Sequence, residues 1–288
     1  MRITSEMLSA DAVRQLQANI QRLAHSQEQV STTRRLNRPS DDPAQTRTAV
    51  KVRDSLAELD QFQRNIDVAD RTLSATDAAL SSAGDIVQRA RELAIQGATG
   101  SLSTTDRQAL GVEVDQLLNA LQEQANAKSA GSYLFSGFKT DTAPYATPTG
   151  AYLGDGGAIR ARTAPNTQVQ TNVTADVAFA PALQALDALR TELNSGTQVS
   201  AATIGLIDVG QESLLSARAL TGSRQNRLAD TRAYLDNGIL AAKTLQSDLE
   251  DADMAQAISD MSSRQASYQA ALKVNAQLLQ TSLIDLLK

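Results

Sequence analysis

Residues 44–96 decide the fold of this chain; they read AQTRTAVKVRDSLAELDQFQRNIDVADRTLSATDAALSSAGDIVQRARELAIQ. Its apolar residues recur at helical spacing, which predicts one uninterrupted amphipathic helix that ends at Gly97 and Gly100. Such a helix is far longer than the mean globular helix and cannot bury its apolar stripe alone. It therefore needs a helical partner in the same chain or in a neighbouring subunit. The predicted seam is Val52, Leu56, Leu59, Ile66, Leu73, Leu80 and Val87.

Both ends of the chain also read as helices. The first glycine is Gly84 and neither glycine nor proline follows Gly238. We predict a helix from Ser5 to about Thr32, and helix from Ala201 to the end of the chain, with heptad-like apolar spacing at both ends. An ordinary surface helix remains the alternative for the first segment. The predicted subunit or partner interface is Ile3, Met7, Val13, Leu16, Ile20, Leu23, Val30, Ile258, Met261, Tyr268, Leu272, Leu279, Leu283 and Leu286.

Local signals mark where the long helix and a third helix begin. Asp41 and Asp42 precede Pro43, which predicts an N-cap followed by the first residue of the helix over 44–96. Ser103 and Asp106 resemble a capping pair, which predicts a third helix from Thr104 to about Ala130.

The middle of the chain, roughly 132–180, differs from both ends. Five of the nine aromatic residues lie between Tyr133 and Tyr152, and TQVQTNVTADVAF, residues 167–179, alternates with a period of two. These features predict a small β-rich unit, followed by a short helix around 181–194.

Composition argues against several functional classes. The net charge is −5, which disfavours a nucleic-acid binder. There is no cysteine and one histidine, so thiol chemistry is excluded and a His-rich metal site or catalytic triad is disfavoured. No stretch approaches the ~18 apolar residues of a membrane span, and the start is too polar for a cleaved signal peptide.

No set of residues predicts catalysis, a cofactor or a metal. Asp41 and Asp42 lack a neighbouring nucleophile or base, so capping explains them better than acid–base chemistry. The segment 154–157, GDGG, lacks the phosphate-loop pattern and reads as a tight turn. The acidic run at 248–253 lacks EF-hand spacing and reads as a solvated face plus a helix start. We expect a protein that is not an enzyme and needs no cofactor.

Several segments, in order, resemble the flagellin superfamily and, within it, the hook-associated protein 3 family of the hook–filament junction. They are MRITSEM at 1–7, LNRPSDDPA at 36–44, IQGATGSLSTTDR at 95–107, SYLFSGFKTDTAPY at 132–145 and LLQTSLIDLLK at 278–288. The resemblance covers about residues 1–145 and 205–288. The PSDDP and FSGFKTDTAPY segments distinguish this family from filament flagellins. Where the family usually has glycine after the first helix, this chain has Thr33.

The resemblance implies a mainly α protein, an elongated antiparallel helical bundle or coiled coil formed by the N- and C-terminal segments with a small β-rich insert domain. Its implied function is structural: an adaptor ring that joins the hook to the flagellin filament. Filament flagellin is the alternative, and another type III-secreted coiled-coil protein is a third. The expected segments are an N-terminal assembly arm at 1–43, a helical rod at 44–131 and 201–243, a variable β-rich outer domain at 132–200, and a C-terminal assembly arm at 244–288.

The resemblance also implies partners and a location. The partners are further copies of this chain in a ring, the hook-side hook-associated junction protein, flagellin, and a cytoplasmic export chaperone that binds the C-terminal helix. No nucleic acid and no membrane span are expected. The chain is expected to be secreted to the extracellular flagellum by the flagellar type III route, without a cleaved signal peptide.

Charge suggests one further contact. If the two arms run side by side, the basic residues Arg34, Arg35 and Arg38 would meet the acidic residues Asp248, Asp251 and Asp253. We predict that these groups set the register of the joint between arm and rod. Exposed ion pairs contribute only ~0–1 kcal/mol each, so register rather than bulk stability is the expected effect.

Overall fold

The structure is a computed structural model that describes the backbone of residues 5–286 and the side-chain surroundings of Met7 and residues 10–277. Over those residues, helices dominate and the strands are short, which confirms the predicted fold class. The helices are α1 Ser5–Thr32, α2 Pro43–Gly97, α3 Thr104–Ala125, α4 Ala175–Ala178, α5 Ala180–Asn194, α6 Ala201–Glu250 and α7 Met254–Leu286. The strands are β1 Lys128–Ser129, β2 Ser132–Tyr133, β3 Arg160–Ala164 and β4 Thr167–Gln170.

The chain divides into two compact units. The terminal unit comprises the residues up to Glu58 together with those from Gly238, and the central unit is Leu59–Asn237. The terminal unit therefore holds α1, α7, the start of α2 and the end of α6.

The predicted starts of α2 and α3 are confirmed, because both N-caps form the expected hydrogen bonds. The Asp42 carboxylate accepts the backbone N–H groups of Ala44 and Gln45, both at 3.0 Å. Ser103 and Asp106 form a reciprocal capping box: the Ser103 hydroxyl accepts the Asp106 N–H at 3.2 Å, and the Asp106 carboxylate accepts the Ser103 N–H at 3.1 Å.

Two predicted boundaries differ from the structure. Helix α3 ends at Ala125 rather than near Ala130, because the Asn126 amide bonds both backbone groups of Tyr145: its NH₂ donates to the carbonyl at 2.8 Å, and its oxygen accepts the N–H at 3.0 Å. The predicted continuous helix from Ala201 is interrupted between Glu250 and Met254. The Asp253 carboxylate accepts the Ala255 N–H at 2.9 Å, which starts α7 as a separate helix and confirms the predicted helix start in the acidic run.

The core of the central unit is built mainly from aliphatic helix faces. Leu80, Val87 and Leu93 of α2 are almost fully buried with side chains of α3, α5 and α6. Phe135, Phe179 and Tyr145 are its buried aromatic members, and the two phenylalanine rings pack edge to face with centroids 4.9 Å apart.

Helices α2 and α6 run antiparallel in the central unit. Arg91 pairs with Asp208 at 2.6 Å and, further along, Arg218 pairs with Asp77 at 2.8 Å. Because residues later in α2 pair with residues earlier in α6, these exposed contacts record the helix direction and register. Their individual contributions to stability are small.

Within residues 5–286, the strands form two antiparallel pairs, both in the central unit. Strands β1 and β2 form a hairpin whose turn residues, Ala130 and Gly131, have φ values of +50° and +88°. Strands β3 and β4 pair from Arg160–Gln170 to Ala164–Thr167. Only the first part of the predicted alternating segment is a strand, because the Ala175 N–H donates to the Phe135 carbonyl at 2.8 Å where α4 begins.

Candidate assembly surface

The two terminal helices pack against each other in antiparallel orientation. The Arg264 guanidinium of α7 donates to the Arg22 carbonyl of α1 at 3.0 Å. The backbones of Arg34 and Asp251 form an isolated antiparallel β-bridge. Among the described residues of the two helices, Ser26 and Ala257 are the buried ones, and the Ser26 hydroxyl donates to the Arg22 carbonyl at 3.2 Å. Because the residues buried here are small, the larger apolar residues of both helices remain at least partly exposed.

The predicted interface residues fall into two groups. Leu16, Leu23, Val30, Met261 and Tyr268 are half-buried within the terminal unit. The other group remains largely exposed: Met7 at 58%, Val13 at 55%, Ile20 at 43%, Ile258 at 47% and Leu272 at 41%.

This division has a geometric cause. One helix pair can cover only one side of each helix, whereas residues spaced at three and four drift around a helix of 3.6 residues per turn. Val274, which is not among the predicted interface residues, is also exposed, at 54%. Ile3 lies outside the described residues, and Leu279, Leu283 and Leu286 lie in the part of α7 whose side chains are not described. A role of all these residues in subunit contacts stays a prediction.

The backbone joins the end of α1 to the break between α6 and α7. We call residues 33–36 and 250–252 the joint. The Arg35 N–H donates to the Glu250 carbonyl at 2.7 Å, and the Ala252 N–H donates to the Thr33 carbonyl at 3.0 Å. The basic and acidic segments singled out in the sequence therefore do meet, through main-chain hydrogen bonds.

The carboxylate at the joint is not one of the three predicted acidic residues. Glu250 is only 2% exposed, and its carboxylate accepts the Arg53 Nε–H at 2.7 Å and lies 3.7 Å from Arg34 Nη1. The Arg53 hydrogen bond is the main cause of a pKa of Glu250 below its ordinary value. Glu250 belongs to the acidic run recognised in the sequence at 248–253 but was not among the three residues predicted to pair, and Arg53 lies outside both charged segments.

The predicted residues have other partners. The Asp251 carboxylate accepts the Ser247 hydroxyl at 2.6 Å, and Asp253 caps α7. Arg38 pairs with Glu28 at 2.9 Å, and Arg35 donates to the Gln45 side chain and to the Leu249 carbonyl. In the described part of the chain, Asp248, Asp251 and Asp253 form no ion pair with Arg34, Arg35 or Arg38. The predicted pairing is corrected to Glu250, because the side chains of Asp251 and Asp253 are engaged locally.

The aromatic segment after β2 folds as an ordered loop in the central unit. The Asp155 carboxylate accepts the backbone N–H groups of Phe138 at 2.7 Å and Gly157 at 2.9 Å, and these bonds lower its pKa. Gly137, at φ +71°, is in contact with Asp155 and leaves no room for a side chain. The Asp155 side chain thus anchors the FSGF segment, while Phe138 itself stays 66% exposed.

The described residues offer little to a metal, a membrane or a polar ligand. No group of three His, Cys, Asp or Glu side chains that could hold a metal lies together there. No described helix is long and apolar enough to span a membrane. A cavity of about 330 Å³ in the central unit, between α2 and the two hairpins, is lined mainly by apolar and hydroxyl side chains, with Arg160 and Tyr133 as its titratable residues.

Comparisons with known proteins agree on one family. The model of the bacterial flagellin N-terminal helical region matches residues 3–140, and that of the bacterial flagellin C-terminal helical region matches residues 204–287. Flagellar hook-associated protein 3 of Escherichia coli strain K12 is 26% identical over 324 aligned positions that span both chains in full. A flagellin of Listeria monocytogenes is 26% identical over 286 positions, covering 98% of this chain and 96% of its own.

Solved structures show the same similarity. A protein of Vibrio parahaemolyticus described as a flagellar hook-associated protein superposes with a TM-score of 0.67 at 26% identity, covering 73% of this chain and all of the other. Hook-associated protein 3 of Legionella pneumophila superposes with a TM-score of 0.64 at 19% identity, covering 69% of this chain and 98% of its own, which shows a shared fold.

Proposed function

The chain belongs to the bacterial flagellin family, and we propose that it is the structural subunit that joins the flagellar hook to the filament. One observation carries the proposal: the hook-associated protein of Vibrio parahaemolyticus is covered over its whole length by this fold, at a TM-score of 0.67 and 26% identity. The full-length match to hook-associated protein 3 of Escherichia coli supports the same function.

The exposed apolar residues of α1 and α7 are the surface by which the subunit assembles. About half of each of Val13, Ile20 and Ile258 is open to solvent. Covering the exposed half of such a side chain contributes roughly 1 kcal/mol, so several residues per subunit make association favourable. Exposed apolar residues on paired helices suit lateral packing against similar helices, as in a ring of identical subunits.

The partners follow from the position between hook and filament. The subunit contacts further copies of itself, the hook-side hook-associated junction protein on one side and flagellin on the other. Before secretion, a cytoplasmic export chaperone covers the C-terminal helix, and the flagellar type III route exports the chain without a cleaved signal peptide. The role is structural and involves no catalysis or cofactor.

A second candidate function is the filament subunit itself. The flagellin of Listeria monocytogenes matches this chain at the same identity as the Escherichia coli hook-associated protein and over nearly its full length. A junction subunit and a filament subunit differ in what remains outside the cell when each is absent.

Deletion of the gene, followed by electron microscopy of cells and analysis of the culture medium, distinguishes the two. Hooks without filaments, with unpolymerised flagellin in the medium, are expected for the junction subunit. Loss of the filament with no flagellin in the medium would assign the chain as flagellin instead. Normal filaments would contradict both functions.

The assembly surface is tested by restoring the deleted gene in altered form. The double variant I20D/I258D places one charge on each arm and is expected to abolish filament formation, because each carboxylate would be buried without a partner. V112D is the matched control: Val112 is 58% exposed on α3, outside the arms. Equal motility of the two variants, at equal levels of exported protein, would show that the arms are not the assembly surface.

A further inference from the structure

The end of α1 contains an unusual backbone conformation. Thr33 has φ +58°, in the left-handed region, and it is β-branched. A β-branched residue is disfavoured there, because its Cβ substituents crowd the neighbouring backbone. The Thr33 side chain is exposed, and its hydroxyl donates only to the preceding carbonyl, at 2.6 Å, so packing of the side chain does not offset this strain.

The positive φ lets the chain reverse directly into the joint. Immediately after α1 ends, the Thr33 carbonyl accepts the Ala252 N–H, and the Arg35 and Leu36 N–H groups both point to the Glu250 carbonyl, at 2.7 and 3.4 Å. If Thr33 relaxed to a negative φ, its carbonyl and the following N–H groups would turn away from residues 250–252. The strained residue and the backbone contacts of the joint therefore form or break together.

Glu250 connects three parts of the terminal unit. Its carboxylate bonds Arg53 of α2 and faces Arg34 of the joint, while Gln246 of α6 donates to it at 3.4 Å. Its own carbonyl is the acceptor for Arg35 and Leu36. A nearly buried carboxylate with two guanidinium partners is held in one position, and it holds its backbone carbonyl there too.

We propose that the joint is a two-state hinge, in which the Glu250 contacts hold the arms closed against the strain at Thr33. In the closed state, Thr33 is left-handed and the joint is bonded as described. In the open state, Thr33 adopts a negative φ, the bonds of Thr33, Arg35 and Leu36 to residues 250 and 252 are broken, and α1 separates from α7 at this end.

Amide hydrogen exchange of the full chain measures the hinge directly, because the Arg35 and Ala252 N–H groups exchange only after the joint opens. Glycine and asparagine tolerate a positive φ, so T33G and T33N are expected to slow exchange of both amides at least about threefold. Asparagine lacks the added chain freedom of glycine and so separates relief of strain from a change in flexibility. T33V keeps the β-branch and is expected to give no protection.

The clamp is tested in the same way. E250Q is expected to speed exchange of the two amides about tenfold, because the ion pair with Arg53 is reduced to a hydrogen bond between a charged guanidinium and an uncharged amide oxygen. E113Q is the matched control: Arg89 Nε donates to Glu113 at 2.8 Å in the central unit, so this variant is expected to leave the joint unchanged. Amides of α3, outside the terminal unit, report any global loss of stability.

The outcomes separate the two halves of the proposal. Unchanged or faster exchange in both T33G and T33N would refute strain at Thr33. Equal exchange at the joint in E250Q and E113Q would refute the clamp. The consequence for assembly, in which a hinge biased open yields fewer filaments per hook, rests on the proposed function. Normal filaments from E250Q with the expected exchange result would leave the hinge intact and would count against that consequence alone.

Discussion

Gly210 decides how closely α6 approaches α5, and its replacement by alanine provides a quantitative test of the central unit. A Cβ atom at this position would lie 2.7 Å from the Ala182 Cα and 3.0 Å from the Ala182 nitrogen. Both atoms belong to the backbone of α5, so no side-chain rotation can relieve the contact. The matched position is Gly205, in the same helix, where a Cβ would meet nothing within 4 Å.

Two opposing effects set the magnitude. Alanine is favoured over glycine within a helix by about 1 kcal/mol. Forcing an extra carbon into a packed contact costs about 1–3 kcal/mol. At Gly210 the contact is with backbone atoms and is shorter than an ordinary van der Waals contact, so the upper part of that range applies. After the helical gain is subtracted, G210A is expected to lower the free energy of unfolding by roughly 1–2 kcal/mol. At Gly205 only the helical gain remains, so G205A is expected to gain about 0.5–1 kcal/mol.

Urea unfolding of the full chain, followed by circular dichroism, measures both variants. The expected result is a lower midpoint for G210A and a higher midpoint for G205A, with similar slopes. A G210A protein as stable as G205A would refute the argument, because it would show that α5 and α6 do not approach as closely as described.

Three further predictions concern single residues. D42A removes the cap of α2 and is expected to cost about 1 kcal/mol in urea unfolding, and an unchanged midpoint would contradict the capping role. The pKa of Glu250 is lowered in the folded state, so this carboxylate stabilises the fold above its ordinary pKa of 4.5, and that stabilisation is lost as the pH falls through the lowered pKa. E250Q should therefore flatten the acid limb of the curve of unfolding free energy against pH. Parallel curves for E250Q and the wild-type chain would argue against the Arg53 contact. Burial raises the pKa of Tyr145 to about 12, so the contribution of its neutral phenol to stability is present below the ordinary pKa of 10.0 and is lost as the pH rises through about 12. The absorbance difference between the wild-type chain and Y145F should titrate near 12. Titration near 10 would show an exposed phenol.

Features that depend on neighbouring residues were predictable from the sequence. The caps at Asp42 and at Ser103–Asp106 act over two or three positions, so the residue types alone indicate them. The helical spacing of apolar residues likewise predicted α1, α2 and most of α6 and α7. The end of α3 was misplaced because its stop comes from Tyr145, which is distant in sequence from Asn126.

The choice of acidic residue at the joint shows the same limit. Sequence position favoured Asp248, Asp251 and Asp253, which lie near the end of α6. Which carboxylate reaches Arg53 depends on the face of α6 that packs toward α2, and Glu250 is on that face. Helices α2 and α6 are far apart in the sequence. The local spacing of residues within either helix therefore carries no information about which of their faces pack together.

The sequence by itself determined that this protein is mainly helical and where most helices start, and it indicated that the apolar stripes of the terminal helices need a helical partner. These properties follow from periodicity and from caps, which are local. Only the tertiary structure decided which side of each arm is covered, the left-handed turn at Thr33, and the burial of Glu250 between Arg34 and Arg53. Those features depend on the register between segments that are far apart in the sequence: Arg53 and Glu250, for example, are separated by 197 residues. That register is set by the packing of whole helices.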